Sequence, residues 1–123
     1  MGQKIILDSN ILIYHVNDTL NLYNFISSGN FSISVISKME VLGYHKLSKE
    51  HEIDFKKLLD FTNIIPISEN IVERVISIKQ QTKIGLADAI IAATCLENDC
   101  SLMTANTKDF SKIPNLKLIN PLT

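Results

Sequence analysis

Thirteen residues of this 123-residue chain are acidic, and most sit in plainly solvated company, such as Glu50, Glu52 and Asp54 in KEHEID or Glu97 and Asp99 in LENDC. Three do not. Asp8 interrupts the apolar run IILDSNILIY, Glu40 lies in SVISKMEVLGY, and Asp88 lies near the start of LADAIIAATCLEND, each at an expected strand end or helix start. A fourth, Asp109, follows in TANTKDF. Carboxylates brought together in a partly desolvated crevice repel one another unless they are protonated or bridged by a cation. Hard divalent cations take oxygen ligands, and Mg²⁺ is typically held by a few carboxylates together with waters and substrate phosphate. The set therefore points to metal-dependent phosphoryl transfer. Singly, each acid has a plainer reading. Glu40 completes a capping box with Ser37 in SKME, Asp88 suits the positive end of a helix dipole, and Asp8 suits an Asx turn or a cap. Convergence on one edge separates the two readings.

The elements that must deliver them can be read in order. KIILD is a short β-branched run suited to a strand buried on both faces, ending at Asp8. SNILIYHV continues as a helix, and DTLNLYNFISSG predicts a second, with Asp18 as N-cap and Gly29 as its stop. FSISVI predicts a strand, SKMEVLGYHKL a helix, and KEHEIDFKKLLDF an amphipathic helix with Ile53, Leu58, Leu59 and Phe61 on its apolar side. IIPI (64–67) reads as a strand. SENIVERVISIKQQ reads as a helix with Ile71, Val75 and Ile78 on one face. LADAIIAATCLEND has almost no polar face, which marks an interior helix. SLMTAN, a polar loop NTKDFSKIP and the strand LKLI close the chain. Strands alternating with helices predict an α/β fold, a three-layer α/β/α sandwich around a mostly parallel sheet, with 1–123 as a single domain. Its ligand crevice lies beyond the carboxyl ends of the strands. Asp8, Glu40, Asp88, Asn106 and Asp109 are expected along that edge.

Taken together, ILDSNILIY, SVISKMEVLGY and KIGLADAIIAATCLENDCSLMTANTKDF resemble the ordered motifs of PIN-domain ribonucleases, with the toxins of the VapC type as the nearest likeness. The resemblance covers essentially the whole chain and rests on order and spacing. It implies that Asp8, Glu40 and Asp88 hold Mg²⁺ or Mn²⁺ against an RNA phosphodiester, lowering the pKa of an attacking water. It further implies that Asp109 or Asn106 fills the fourth position, where many relatives carry an acid. Ser9, Asn10 and Thr104 would steady the carboxylates or touch phosphate. An antitoxin protein and a homodimer follow from the same likeness, while a cytoplasmic setting is expected from the two unpaired thiols and the lack of a leader-like or membrane-spanning run.

Bulk properties bound the alternatives. With 46% hydrophobic and 20% charged residues the chain has ordinary globular usage, and 12 basic residues against 13 acidic give a net charge of −1. No broad basic surface announces nucleic acid, so RNA affinity is expected from the metal and from local lysines such as Lys38, Lys83 and Lys108. Cys95 and Cys100 in CLENDC match no redox pair or zinc site and read as idle thiols. His15, His45 and His51 show no metal spacing, and Tyr14 and Tyr44 suit core or dimer contacts. No leader or membrane span is expected. Two rivals remain: a receiver-like module phosphorylated at Asp8, and a degenerate PIN domain that binds a partner without cutting.

Overall fold

The computed structural model describes residues 3–26 and 29–122. Among them, β1 (Gln3–Leu7), β2 (Gly29–Ser34), β3 (Asn63–Ile65), β4 (Ser101–Met103) and β5 (Leu118–Ile119) form one sheet. The strand order is β3-β2-β1-β4-β5 and all these pairings are parallel. The connecting helices are α1 (Ser9–Val16), α2 (Tyr23–Ile26), α3 (Val35–Leu42), α4 (Lys49–Leu59), α5 (Glu69–Gln81), α6 (Leu86–Asn98) and α7 (Thr107–Phe110). This is the expected α/β arrangement with a parallel central sheet.

The layers follow from the alternation of side chains along β1. Ile6 faces a core built with Ile71, Val75 and Ile78 of α5 and the buried run Ala89–Ala93 of α6. Ile5 and Leu7 face the opposite core, with Ile11 and Leu12 of α1 and Phe55 and Leu58 of α4. A central parallel strand buried on both faces needs an unbroken apolar run, which IIL supplies. The acid comes one residue after the strand ends.

Strand order then fixes the crevice. From β1 the chain steps outward to β2 and β3, and crosses back to β4 on the other side of β1. The carboxyl ends of β1 and β4 flank the point where the order reverses, the usual place for a ligand in an open α/β sheet. Asp8 and Thr104 are the residues that leave those two ends.

Several local expectations shift. Gly29 opens β2 instead of ending a helix, and α2 is only four residues long. Asp18 is not a cap: it sits at φ 62 in the preceding turn. Ser27 and Ser28 of that expected helix lie outside the described residues. In α4 the inward face carries Phe55 and Leu58, while Ile53 and Phe61 are exposed, because burial of Phe55 turns the helix away from the expected stripe. β3 stops before Pro66, which has no N–H to donate to a ladder. A one-turn helix, α7, replaces part of the expected polar loop, held by the fully buried Phe110.

Candidate active site

Asp8 is 5% exposed and caps α1, its Oδ1 accepting from the Ser9 amide at 2.8 Å. Its Oδ2 accepts from the Thr104 hydroxyl at 2.8 Å, and its own amide donates to the Met103 carbonyl at 3.0 Å, tying the ends of β1 and β4 together. Burial pushes the Asp8 carboxyl above its usual range. The Thr104 and Ser9 hydrogen bonds pull against that, and the charge of Glu40 adds to it.

Glu40 does not close a capping box. The N-cap of α3 is Ser34, whose hydroxyl accepts from the Ile36 amide at 3.2 Å; α3 starts two residues before the expected SKME. Ser37 is instead fully buried inside the helix, with no hydrogen-bond partner for its hydroxyl. That leaves the Glu40 carboxylate free of the helix end, and Ser9 Oγ donates to its Oε1 at 2.7 Å across 31 residues of chain.

Asp88 lies in the first turn of α6, whose N-cap, Gly85, has no side chain to cap with. Its carboxyl is raised above the ordinary range, first by burial and then by the charges of Asp8, Glu40 and Asp109 in that order. All three other candidate acids act on this one group. Asp109, on α7, is exposed and its Oδ2 accepts from Asn106 Nδ2 at 3.0 Å. The Asn106 amide in turn donates to Thr104 Oγ1 at 2.9 Å. Asn106 and Asp109, alternatives for one position on sequence grounds, are thus joined to each other, and through Thr104 to Asp8.

The donor set is all oxygen and negative, which suits a hard divalent ion. Asn10 adds a further acceptor, since its Oδ1 is buried without a partner while its Nδ2 reaches Thr104 Oγ1 at 3.5 Å. Among the described residues no three His, Cys, Asp or Glu side chains are grouped closely enough to hold one ion. Asp8, Glu40 and Asp109 are near enough for their charges to act on Asp88 without the four being grouped as ligands of one ion. The edge is therefore an open set of carboxylates rather than a closed cage.

The remaining expected groups fall apart from this edge or beside it. Lys83 lines a cavity of about 110 Å³ together with Asp88 and Asp109. Lys112 lines it too, and sequence reading passed it over although it follows Asp109 by three residues. Lys38 and Lys108 are exposed. Cys95 and Cys100 are free thiols, the first buried and pushed up by that burial. His15 accepts the Leu22 amide on Nδ1 at 3.0 Å and lines a different cavity with Asp18 and Asp54. Tyr14 is half-buried against the α1 core, and Tyr44 is exposed with its ring against His45.

Residues 5–116 match the PIN domain family. Ribonuclease VapC10 of Mycobacterium tuberculosis is 30% identical over 122 residues, covering 92% of this chain and 90% of that protein. Among solved structures, a toxin-antitoxin complex from Klebsiella pneumoniae aligns with a TM-score of 0.76 and 34% identity, over 95% of this chain and 97% of that one. VapBC2 from Rickettsia felis, bound to a DNA fragment of its promoter, aligns with a TM-score of 0.84 and 25% identity, over 96% and 98%. With its fold, its ordered motifs and a match over most of its length in agreement, this chain belongs to the PIN-domain family.

Proposed function

We propose that the chain is a divalent-metal-dependent endoribonuclease that hydrolyses RNA phosphodiester bonds at Asp8, Glu40, Asp88 and Asp109, and that it is the toxin of a toxin-antitoxin pair. The observation that carries the reading is the geometry of the edge, where Thr104 holds Asp8, Ser9 holds Glu40, Asn106 holds Asp109, and Asp88 lines one cavity with Asp109. The four acids come from four separate segments that the parallel sheet brings to one end. A similar protein described as a ribonuclease and similar chains solved as toxin-antitoxin complexes support the substrate class and the partner. On this reading residues 1–123 form one domain acting in the cytoplasm, with a homodimer as the assembly.

Mg²⁺ or Mn²⁺, when bound, supplies Lewis acidity toward the phosphodiester. The chain's own groups do the rest. Ser9 and Thr104 orient the carboxylates of Glu40 and Asp8 through 2.7 and 2.8 Å hydrogen bonds, so that neither has to be reordered when substrate arrives. Asp88 and Asp109 complete the ligand set, and Asn106 holds Asp109 at 3.0 Å. Asn10 Oδ1, an acceptor without a donor, is suited to hold a water or an ion against the same edge.

Single-stranded RNA incubated with the protein and Mn²⁺ or Mg²⁺ is expected to be cut, and chelation to stop the cutting. Asp8→Asn and Asp88→Asn are each expected to lower kcat by about 100-fold or more, the order lost when a preorganised electrostatic partner of a transition state is removed. Cleavage indifferent to chelator and to both substitutions overturns the proposal. A receiver-like module is not favoured, because it leaves Glu40 and Asp88 without a role.

A further inference from the structure

The cavity between α6 and α7 contains charges of both signs that do not meet. Its walls include Asp88 and Asp109, and also Lys83 and Lys112, around about 110 Å³ of space. Water occupies about 30 Å³ per molecule in the liquid, so the room is that of a few waters. Among the described residues neither lysine makes an ion pair or a side-chain hydrogen bond. Three other cations on this chain are engaged, Lys56 with Glu52 at 3.0 Å, Arg74 with Glu97 at 3.4 Å and Lys79 with the Ile84 carbonyl at 2.9 Å; what sets Lys83 and Lys112 apart is the cavity they share with Asp88 and Asp109.

The two lysines are placed by fixed parts of the fold. The turn bearing Lys83 is held by the Lys79 bond to Ile84 and by Thr82 Oγ1 donating to the Ile78 carbonyl at 3.1 Å. Lys112 stands between Phe110 and Ile113, both buried in the α6 core. At the mouth, Gly85 has nothing within 4 Å of where a Cβ would stand, which leaves the cavity open above the start of α6.

We propose that Lys83 and Lys112 form a subsite for one backbone phosphate of RNA, next to the phosphodiester that is cut, so that the strand runs across the Asp88 and Asp109 side of the edge. This rests on the ribonuclease reading above and adds the path of the substrate. An anion drawn to an edge with four carboxylates needs local cations, and a chain of net charge −1 supplies no general attraction. Two unpaired ammonium groups sharing a cavity with two of the acids meet that need.

The test is binding of a fluorescently labelled single-stranded RNA by anisotropy, over a range of salt, in the cleavage-suppressed Asp8→Asn protein. Lys83→Ala with Lys112→Ala is expected to weaken binding about tenfold and to reduce the salt slope by about 0.7, the value for one phosphate on a single strand. Lys83→Arg with Lys112→Arg is expected to restore both. Lys4→Ala, at the other end of the sheet beside Asn30 and Cys100, is expected to change neither. The subsite is overturned if the double alanine variant binds with the affinity and slope of Lys4→Ala, or if arginine fails to restore binding. If the Asp8→Asn protein and the unsubstituted chain bind no RNA at any salt, the ribonuclease reading falls and the subsite with it.

Discussion

At the scale of single residues, the edge is a place where the chain accepts unfavourable electrostatics. Asp8 is nearly sealed from water and Asp88 is half-buried among other acids, and both carboxyls are raised above their ordinary range. A carboxyl that is harder to ionise in the folded state binds more protons there than in the unfolded chain. Stability from such a group is present below its unfolded pKa and is lost as pH rises through the higher folded one. Without divalent ions, thermal stability is therefore expected to fall as pH rises above the ordinary carboxylate range, about pH 4, and these carboxyls ionise. Asp88→Asn is expected to flatten that fall and to raise the melting temperature at neutral pH. Asp8 is the less clean probe, because its two oxygens serve Ser9 and Thr104 and an amide cannot accept at both. Melting curves with the same pH dependence in both proteins would remove the electrostatic account of Asp88.

At the scale of elements, the positioning of Glu40 depends on where α3 begins. The hydroxyl of Ser34 caps the helix, and Ser37 spends its hydroxyl on nothing. Ser34→Ala is expected to cost about 1 kcal/mol of stability, the usual loss for a capping hydroxyl. Ser37→Ala is expected to be neutral or stabilising, because it removes a buried hydroxyl without a partner. Chemical denaturation measures both, and the reverse order would restore the capping box SKME. The same helix shows what sequence could and could not reveal. Amphipathic α5 and the all-apolar α6 were legible because their residue spacing decides their burial: Ile71, Val75 and Ile78 are inward, and Ala89–Cys95 are buried. The start of α3 was not, because two serines three residues apart offer equal local chemistry and packing of the helix against β2 chooses between them. Ile53 and Phe61 misled for a related reason. Both fit a helical stripe, but Phe55 and Leu58 take the interior and leave them 54% and 58% exposed. The sheet edge itself was legible because a parallel sheet sends every strand end the same way. The join of Asn106 to Asp109 was not, since it depends on a one-turn helix anchored by Phe110.

At the scale of the whole molecule, the parallel sheet brings like charges from separate segments to one end, and the fold alone leaves them apart. Hydrogen bonds from Ser9, Thr104 and Asn106 hold individual carboxylates, but no three metal-ligating groups are gathered into a ready site among the described residues. A divalent ion that binds the folded chain and not the unfolded one stabilises it by mass action, by about 2.7 kcal/mol at a hundred times its dissociation constant. An open all-oxygen edge also predicts weak affinity in the absence of RNA, because Mg²⁺ and Mn²⁺ keep waters where the chain supplies no ligand. Titrating Mn²⁺ is therefore expected to raise the melting temperature progressively, without early saturation, and chelator is expected to reverse the rise. In Asp88→Asn the metal-free protein should start higher and gain less, since the substitution removes both the repulsion and one ligand. A rise in Asp88→Asn and in Asp8→Asn as large as that of the unsubstituted chain would place the ion elsewhere on the molecule. No rise at any concentration, with the pH dependence intact, would mean that the acids repel one another at this edge without serving a cation.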